Sequence, residues 1–230
     1  MLLAELEVWH SRPVTPTRRV SLGNLILPVE PAPGFGGLLL GAVVAAHLDD
    51  IDDDLHADVH RLLNQVDRGE RIVQPRLRHR FQVDRHGLGV SRHRLEGEGE
   101  NVRFIFDSNG SGLVQVLGAI YAIERLEATA RHGLLPVINK AIRWRGPIGP
   151  SFIAHLAGGS AMSLAAMADP RAWALELFGF PLGTGKVTKK QVMGRYRDQL
   201  RIVHPDHGGD EVEAGKAIGD LHEARKILLA

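Results

Sequence analysis

Four places in this 230-residue chain carry side chains whose types and spacing suit chemistry. Near the C-terminal end stands His204-Pro205-Asp206, a helix-stopping proline set between two polar side chains in a turn. His56 and His60 lie at i, i+4 with Asp54 beside them, which puts two imidazoles on one helical face and suits a divalent metal. Arg76, Arg78 and Arg80 alternate along a strand pattern, a row of guanidiniums suited to phosphates or RNA. Gly183-Thr184-Gly185-Lys186 suggests a phosphate-cradling loop.

The last three each have a plainer reading, which is preferred. Asp50, Asp53, Asp54, His56, Asp58 and His60 also make an acidic solvated face near a helix start, where the helix dipole favours carboxylates. Asp49 to Asp53 contains the DDxxD spacing of prenyl-transferring enzymes, but no second such motif and no long all-helical chain accompanies it, and it is rejected. The arginine row is followed by Glu96, Glu98 and Glu100 and has no interleaved aromatic for base stacking, so it reads as a solvated sheet face. Lys186 has no Ser or Thr after it to hold magnesium and the first glycine is misplaced, so no nucleotide site is assigned.

The triplet is the best positioned of the four. Upstream, Thr188-Lys189-Lys190-Gln191 forms a capping box, which predicts a helix from near Lys189. Val192, Tyr196, Leu200 and Val203 recur at three- and four-residue spacing and mark its buried face, while Lys190, Arg197 and Arg201 fall on another stripe. Pro205 disfavours helix in the residue before it, so the helix should end at about Val203. After Gly208-Gly209 a second helical run brings Ala214, Ala217, Ile218, Leu221, Ala224 and Leu228 back against the first in an antiparallel hairpin.

These residues resemble the J-domains of the DnaJ co-chaperones. In that family a short helix ending in Leu-Gly precedes a basic helix, a His-Pro-Asp loop and a third helix packed on the second. Trp173 to Gly179 resembles the first helix, the loop matches in all three residues, and Ile218, Leu221, Glu223, Ala224, Ile227 and Leu228 resemble the third. The resemblance covers about the last 60 residues. Within it Gly194 sits inside the second helix, Arg225 stands where many members have Tyr, Ile218 replaces a frequent Phe, and Pro181 to Gly185 lengthens the first loop. The type is the minimal one, without zinc-binding or Gly/Phe-rich regions. The resemblance implies docking on a DnaK-type chaperone and stimulation of that partner's ATPase. Asp206 would contact the ATPase domain, His204 and Pro205 would shape the loop, and Lys190, Arg197 and Arg201 would supply complementary charge. It implies no cofactor and no catalysis by the chain itself.

Composition is compatible with this. The absence of cysteine excludes thiolate metal sites, disulfides and a Cys nucleophile. A net charge of +1 argues against a whole-chain electrostatic partner such as duplex DNA. The longest apolar run, Phe35 to Leu48, falls short of the roughly 20 residues needed to span a bilayer. The N-terminal residues lack a basic leader and cleavage site, so a cytoplasmic address and no membrane insertion are expected.

The rest of the chain predicts an α+β domain over residues 1–148, with an antiparallel sheet and helices. A connecting segment over 149–167, helical from Phe152, then leads to an all-α J-domain over 168–230. Ala4, Leu6 and Val8 alternate with polar residues as a strand, and Val20 to Val29 reads as a second; the flanking prolines place both at sheet edges or barrel-like corners. Residues 76–83, Arg92 to Arg94 and Val102 to Phe106 read as further antiparallel strands. Helices are expected from about Gly37, along the stripe Ile51, Leu55, Val59, Leu62, Leu63 and Val66, as an amphipathic element from Val114 to Leu126, and from His132 to Arg145 with an interruption at Pro136. This domain would target the chain or bind a client. A metal-dependent enzyme on His56, His60 and Asp54, or an RNA or ribosome adaptor on Arg76, Arg78 and Arg80, are the alternatives.

Overall fold

The computed structural model describes residues 1–12, 18–30, 32–70, 79–98, 101–157, 170–181, 184–203 and 211–229. Contacts divide the chain into two compact units, Met1–Leu156 and Ala157–Ala230.

The first unit is built on a five-stranded sheet of order β3-β2-β1-β4-β5, with β1 Leu2–His10, β2 Arg18–Ile26, β3 His79–Phe81, β4 Gly89–Glu98 and β5 Asn101–Asp107. Alternation along β1 dictates two unlike faces. Ala4, Leu6 and Val8 are fully buried and register against Leu95, His93 and Ser91 of β4, so these six share the core face. Glu5, Glu7 and Trp9 share the other face with Arg94, Arg92 and Val90. There Glu7 accepts hydrogen bonds from Trp9 Nε1 and, at 3.0 Å, from Arg92 Nε. Burial alone would raise the Glu7 carboxyl, but these bonds and the Arg92 charge hold it below the usual carboxylate value.

The sheet departs from the antiparallel arrangement expected of it, because β3 pairs parallel to β2. Between them the chain runs through α1 Gly34–His47, a short 3-10 turn Leu48–Asp50 and α2 Asp53–Asp67, and a helical crossover of this kind returns a strand in the same direction. Nor are β1 and β2 edges. β1 is the central strand and β2 lies between it and β3, since the prolines that suggested edges flank the strands and remove no bond from their ladders.

Two helices lie against the sheet, α1 and α3 Gly112–Glu124. Both are buried nearly all round, which corrects the amphipathic reading of α3. The reason is a second helical layer: α2 contacts α3, and α4 Ala128–Arg143 contacts α1, α2 and α3. Gly118 lets α3 press on the sheet, since a Cβ there would strike the Val8 side chain. Pro136 does not interrupt α4. An interior proline costs about 3 kcal/mol, and the buried Leu134 and Ile138, each worth about 1.5–3 kcal/mol, hold the helix continuous through it. A short α5, Pro150–Ala157, buries Phe152 and Leu156, with Phe152 edge-on to Phe104 and Trp144. Helix is thus present where the connecting segment was expected, as far as Ala157; residues 158–169 lie outside the described residues.

The second unit contains α6 Pro170–Leu177, α7 Lys189–Val203 and α8 Glu211–Leu229. The molecule as a whole is α+β.

Candidate functional site

The second unit is assembled around one apolar cluster. Ala174, Leu175 and Phe178 from α6 and the residue after it meet Val192 and Tyr196 from α7 and Leu221, Ala224 and Leu228 from α8. The end of α6 and the start of α7 are set by local chemistry. At the end of α6 the Gly179 amide donates to Glu176 O at 2.8 Å and the Phe180 amide to Leu175 O at 2.9 Å, the paired bonds of a Schellman turn. That turn needs a left-handed residue, and Gly179 supplies it with φ +67.

The start of α7 is a capping box. The Thr188 amide donates to Gln191 Oε1 at 2.9 Å, and the Gln191 amide returns a bond to Thr188 Oγ1 at 3.3 Å. One face of α7 is then fixed by Tyr196, whose ring meets Phe178 edge-on and lies beside His222. The Arg225 guanidinium sits 4.7 Å from the centre of the same ring, a cation–π contact that ties α8 to α7.

With Val192 and Tyr196 turned inward, the opposite side of α7 is exposed among the described residues. Lys190, Arg197 and Arg201 are all exposed and recur at roughly two and three helical turns, so one stripe holds the three cations. Beside them Ile202 is 70% exposed, an apolar side chain left in solvent at the last turn. His204, Pro205 and Asp206 lie outside the described residues, in the segment that joins α7 to α8.

Comparisons with family models, curated proteins and solved structures gave no match.

The other sequence candidates fall in the first unit. His56 Nε2 lies 3.3 Å from Leu48 O and 3.2 Å from Ile51 O, turned back onto the preceding turn, while His60 and Asp54 are exposed. Among the described residues no three His, Asp or Glu side chains are placed to hold a metal ion. Asp58 is not part of a solvated face: it is 7% exposed and accepts from Arg61 Nη1 at 2.7 Å, because its position flanks the buried stripe of Val59, Leu62 and Leu63. Arg80 is exposed on β3, and Arg76 and Arg78 lie outside the described residues.

A polar cluster in the first unit escaped sequence reasoning. His93 is fully buried on the core face of β4, with Nε2 2.9 Å from Gln115 Oε1. Gln115 Nε2 donates to Ser91 Oγ at 3.0 Å and to Asn109 O at 2.6 Å, and Ser91 Oγ lies 3.3 Å from His10 Nε2. Burial pushes His93 down to about 4, against the upward pull of Gln115, and burial lowers His10 and His47 as well. The contributing residues are scattered from position 10 to 115, so no local spacing betrays them. The available signal was Ser91 and His93 on the same period-2 face as Leu95.

Proposed function

We propose that residues 168–230 are a J-domain of the minimal type and that the chain is a co-chaperone of a DnaK-type chaperone. The observation that carries the reading is the polarity of α7. One face is buried by Val192 and Tyr196, the other presents Lys190, Arg197 and Arg201, and the helix leads straight into His204-Pro205-Asp206. In this reading α7 and α8 are the two arms of an antiparallel hairpin with the triplet at its tip. Long-range attraction by the three cations raises the encounter rate with an acidic partner surface and sets the register. Asp206 then makes a charge-assisted contact at the partner's ATPase domain, and His204 and Pro205 hold the loop in shape.

The J-domain does no chemistry of its own; the partner hydrolyses ATP and closes on a client. The first unit selects that client or targets the chain, in the cytoplasm, without membrane insertion or nucleic acid. The test is single-turnover ATP hydrolysis by a DnaK-type chaperone from the same cell. Wild type should accelerate it, while His204→Gln and Asp206→Asn should lose most of the stimulation, since truncating one member of a buried charge pair costs roughly 2–5 kcal/mol. Equal stimulation by all three proteins, or none by wild type, would refute the reading.

A further inference from the structure

Three side chains from two distant parts of the chain meet beside the sheet of the first unit. His47 closes α1, Asp50 ends the 3-10 turn that follows, and Ser108 comes directly after β5. Ser108 Oγ and His47 Nε2 are 3.0 Å apart, and His47 Nδ1 and Asp50 Oδ2 are 3.5 Å apart. A carboxylate only accepts, so Asp50 selects the tautomer with hydrogen on Nδ1. Nε2 is then left with a lone pair for the Ser108 hydroxyl. This is the division of labour that turns a serine into a nucleophile.

The surroundings agree with that use. Ser108 is exposed and can meet a substrate, whereas the His47 side chain is only 13% exposed and its ring is held by His93 and Phe106 at centroid distances of 5.8 and 6.1 Å. Burial lowers His47 despite the opposing pull of Asp50, so the ring is neutral and able to take a proton at pH 7. Once the imidazolium forms, Asp50 and the C-terminal carbonyls of α1 stabilise it. The start of α3 is pressed against the pair, because a Cβ on Gly112 would fall 2.6 Å from His47 O and 2.5 Å from Asp50 Cβ. Ser111 makes no capping bond to the first amides of that helix, which give this corner a positive partial charge.

We propose that Ser108, His47 and Asp50 form a nucleophile, base and orienting carboxylate that transfer the acyl group of a small ester to water. Ser108 Oγ bonds to the ester carbonyl carbon as its proton passes to His47 Nε2. The carbon–oxygen bond to the alcohol breaks, and the alcohol leaves with that proton. Water then cleaves the acyl-Ser108 ester by the same route, releasing a carboxylic acid and restoring the hydroxyl. Asp107 precedes the serine and Asp49 precedes Asp50, and both repel anions, while Phe106 offers an apolar surface, so the substrate class is a neutral or cationic ester with a short acyl chain. The activity belongs to the first unit and departs from the expectation that the chain catalyses nothing. It is independent of the co-chaperone reading.

The experiment uses the full chain with a fluorophosphonate probe, located by peptide mass mapping, and p-nitrophenyl butyrate as substrate. The expected result is a single adduct on Ser108. Ester turnover should fall roughly 100-fold or more in Ser108→Ala and in His47→Gln, the range a positioned base supplies, with a smaller loss in Asp50→Asn. Labelling of wild type needs no variant to fold, and Ser108→Ala should keep the circular dichroism spectrum of the parent. No adduct, an adduct at another residue, or turnover by Ser108→Ala equal to wild type would overturn the proposal.

Discussion

His93 concentrates the residue-scale physics of this molecule, because a side chain able to carry a charge is held in a place that does not admit one. It is wholly buried, its Nδ1 has no hydrogen-bond partner among the described residues, and its pKa falls to about 4 from the ordinary 6.5. The sign of the consequence follows directly. Above pH 6.5 neither folded nor unfolded chain holds the proton, and the full stability is present. As pH falls below 6.5 the unfolded chain binds a proton that the folded chain refuses, and stability drops by about 1.4 kcal/mol per pH unit until about pH 4. His10 and His47 are shifted the same way and add to the loss. Urea titrations should therefore give a first-unit stability about 2 kcal/mol lower at pH 5 than at pH 7, with His93→Gln flattening the dependence. A stability equal at the two pH values would contradict this account. Little of it was legible locally: His93 is one polar residue among arginines, the shared period-2 face with Leu95 is the one local sign, and the pairing with Leu6 on β1 is what places it in the core.

At the scale of elements the sequence was most legible where a helix end is written in side chains. The Thr188 and Gln191 box predicts the start of α7, and the helix runs Lys189–Val203. Where tertiary burial overrides a local rule, legibility fails: Pro136 reads as a break and α3 as half-polar, yet α4 is held continuous by its buried face and α3 is covered by neighbours that the sequence does not name. Two predictions belong here. Thr188→Ala removes one cap and should destabilise the second unit by about 1 kcal/mol, measured by denaturant midpoint; a change under a few tenths would mean the box is ornamental. Reversing charge at Lys190 and Arg197, both exposed, should leave the helical spectrum intact. If the stripe steers docking, it should slow association with a DnaK-type partner severalfold at low salt and weaken the salt dependence. Identical association rates would remove the stripe from the mechanism.

For the whole molecule, contact density separates residues up to Leu156 from those after it, and the sequence hinted at such a place only through its Gly-Pro punctuation between Trp144 and Pro150. The sheet order was not readable, because pairing β3 parallel to β2 depends on a crossover through two helices and leaves no mark on either strand. What can be read is self-sufficiency. Among the described residues, every buried member of the apolar cluster of the second unit, from Ala174 to Leu228, lies on α6, α7 or α8 or in the turn after α6. Residues 168–230 expressed alone should consequently fold as a helical unit. With no cysteine in the chain, the fragment needs no disulfide and should melt cooperatively in EDTA, as followed by far-ultraviolet circular dichroism. A core of this size supplies only about 3–5 kcal/mol, so the margin is thin. Phe178→Ala, which empties a fully buried position, costs about 3–5 kcal/mol and should by itself abolish the cooperative melt of the fragment. A coil spectrum for the unsubstituted fragment would place its stability elsewhere in the chain, and a Phe178→Ala fragment that melts like the parent would mean that the cluster does not hold the unit together.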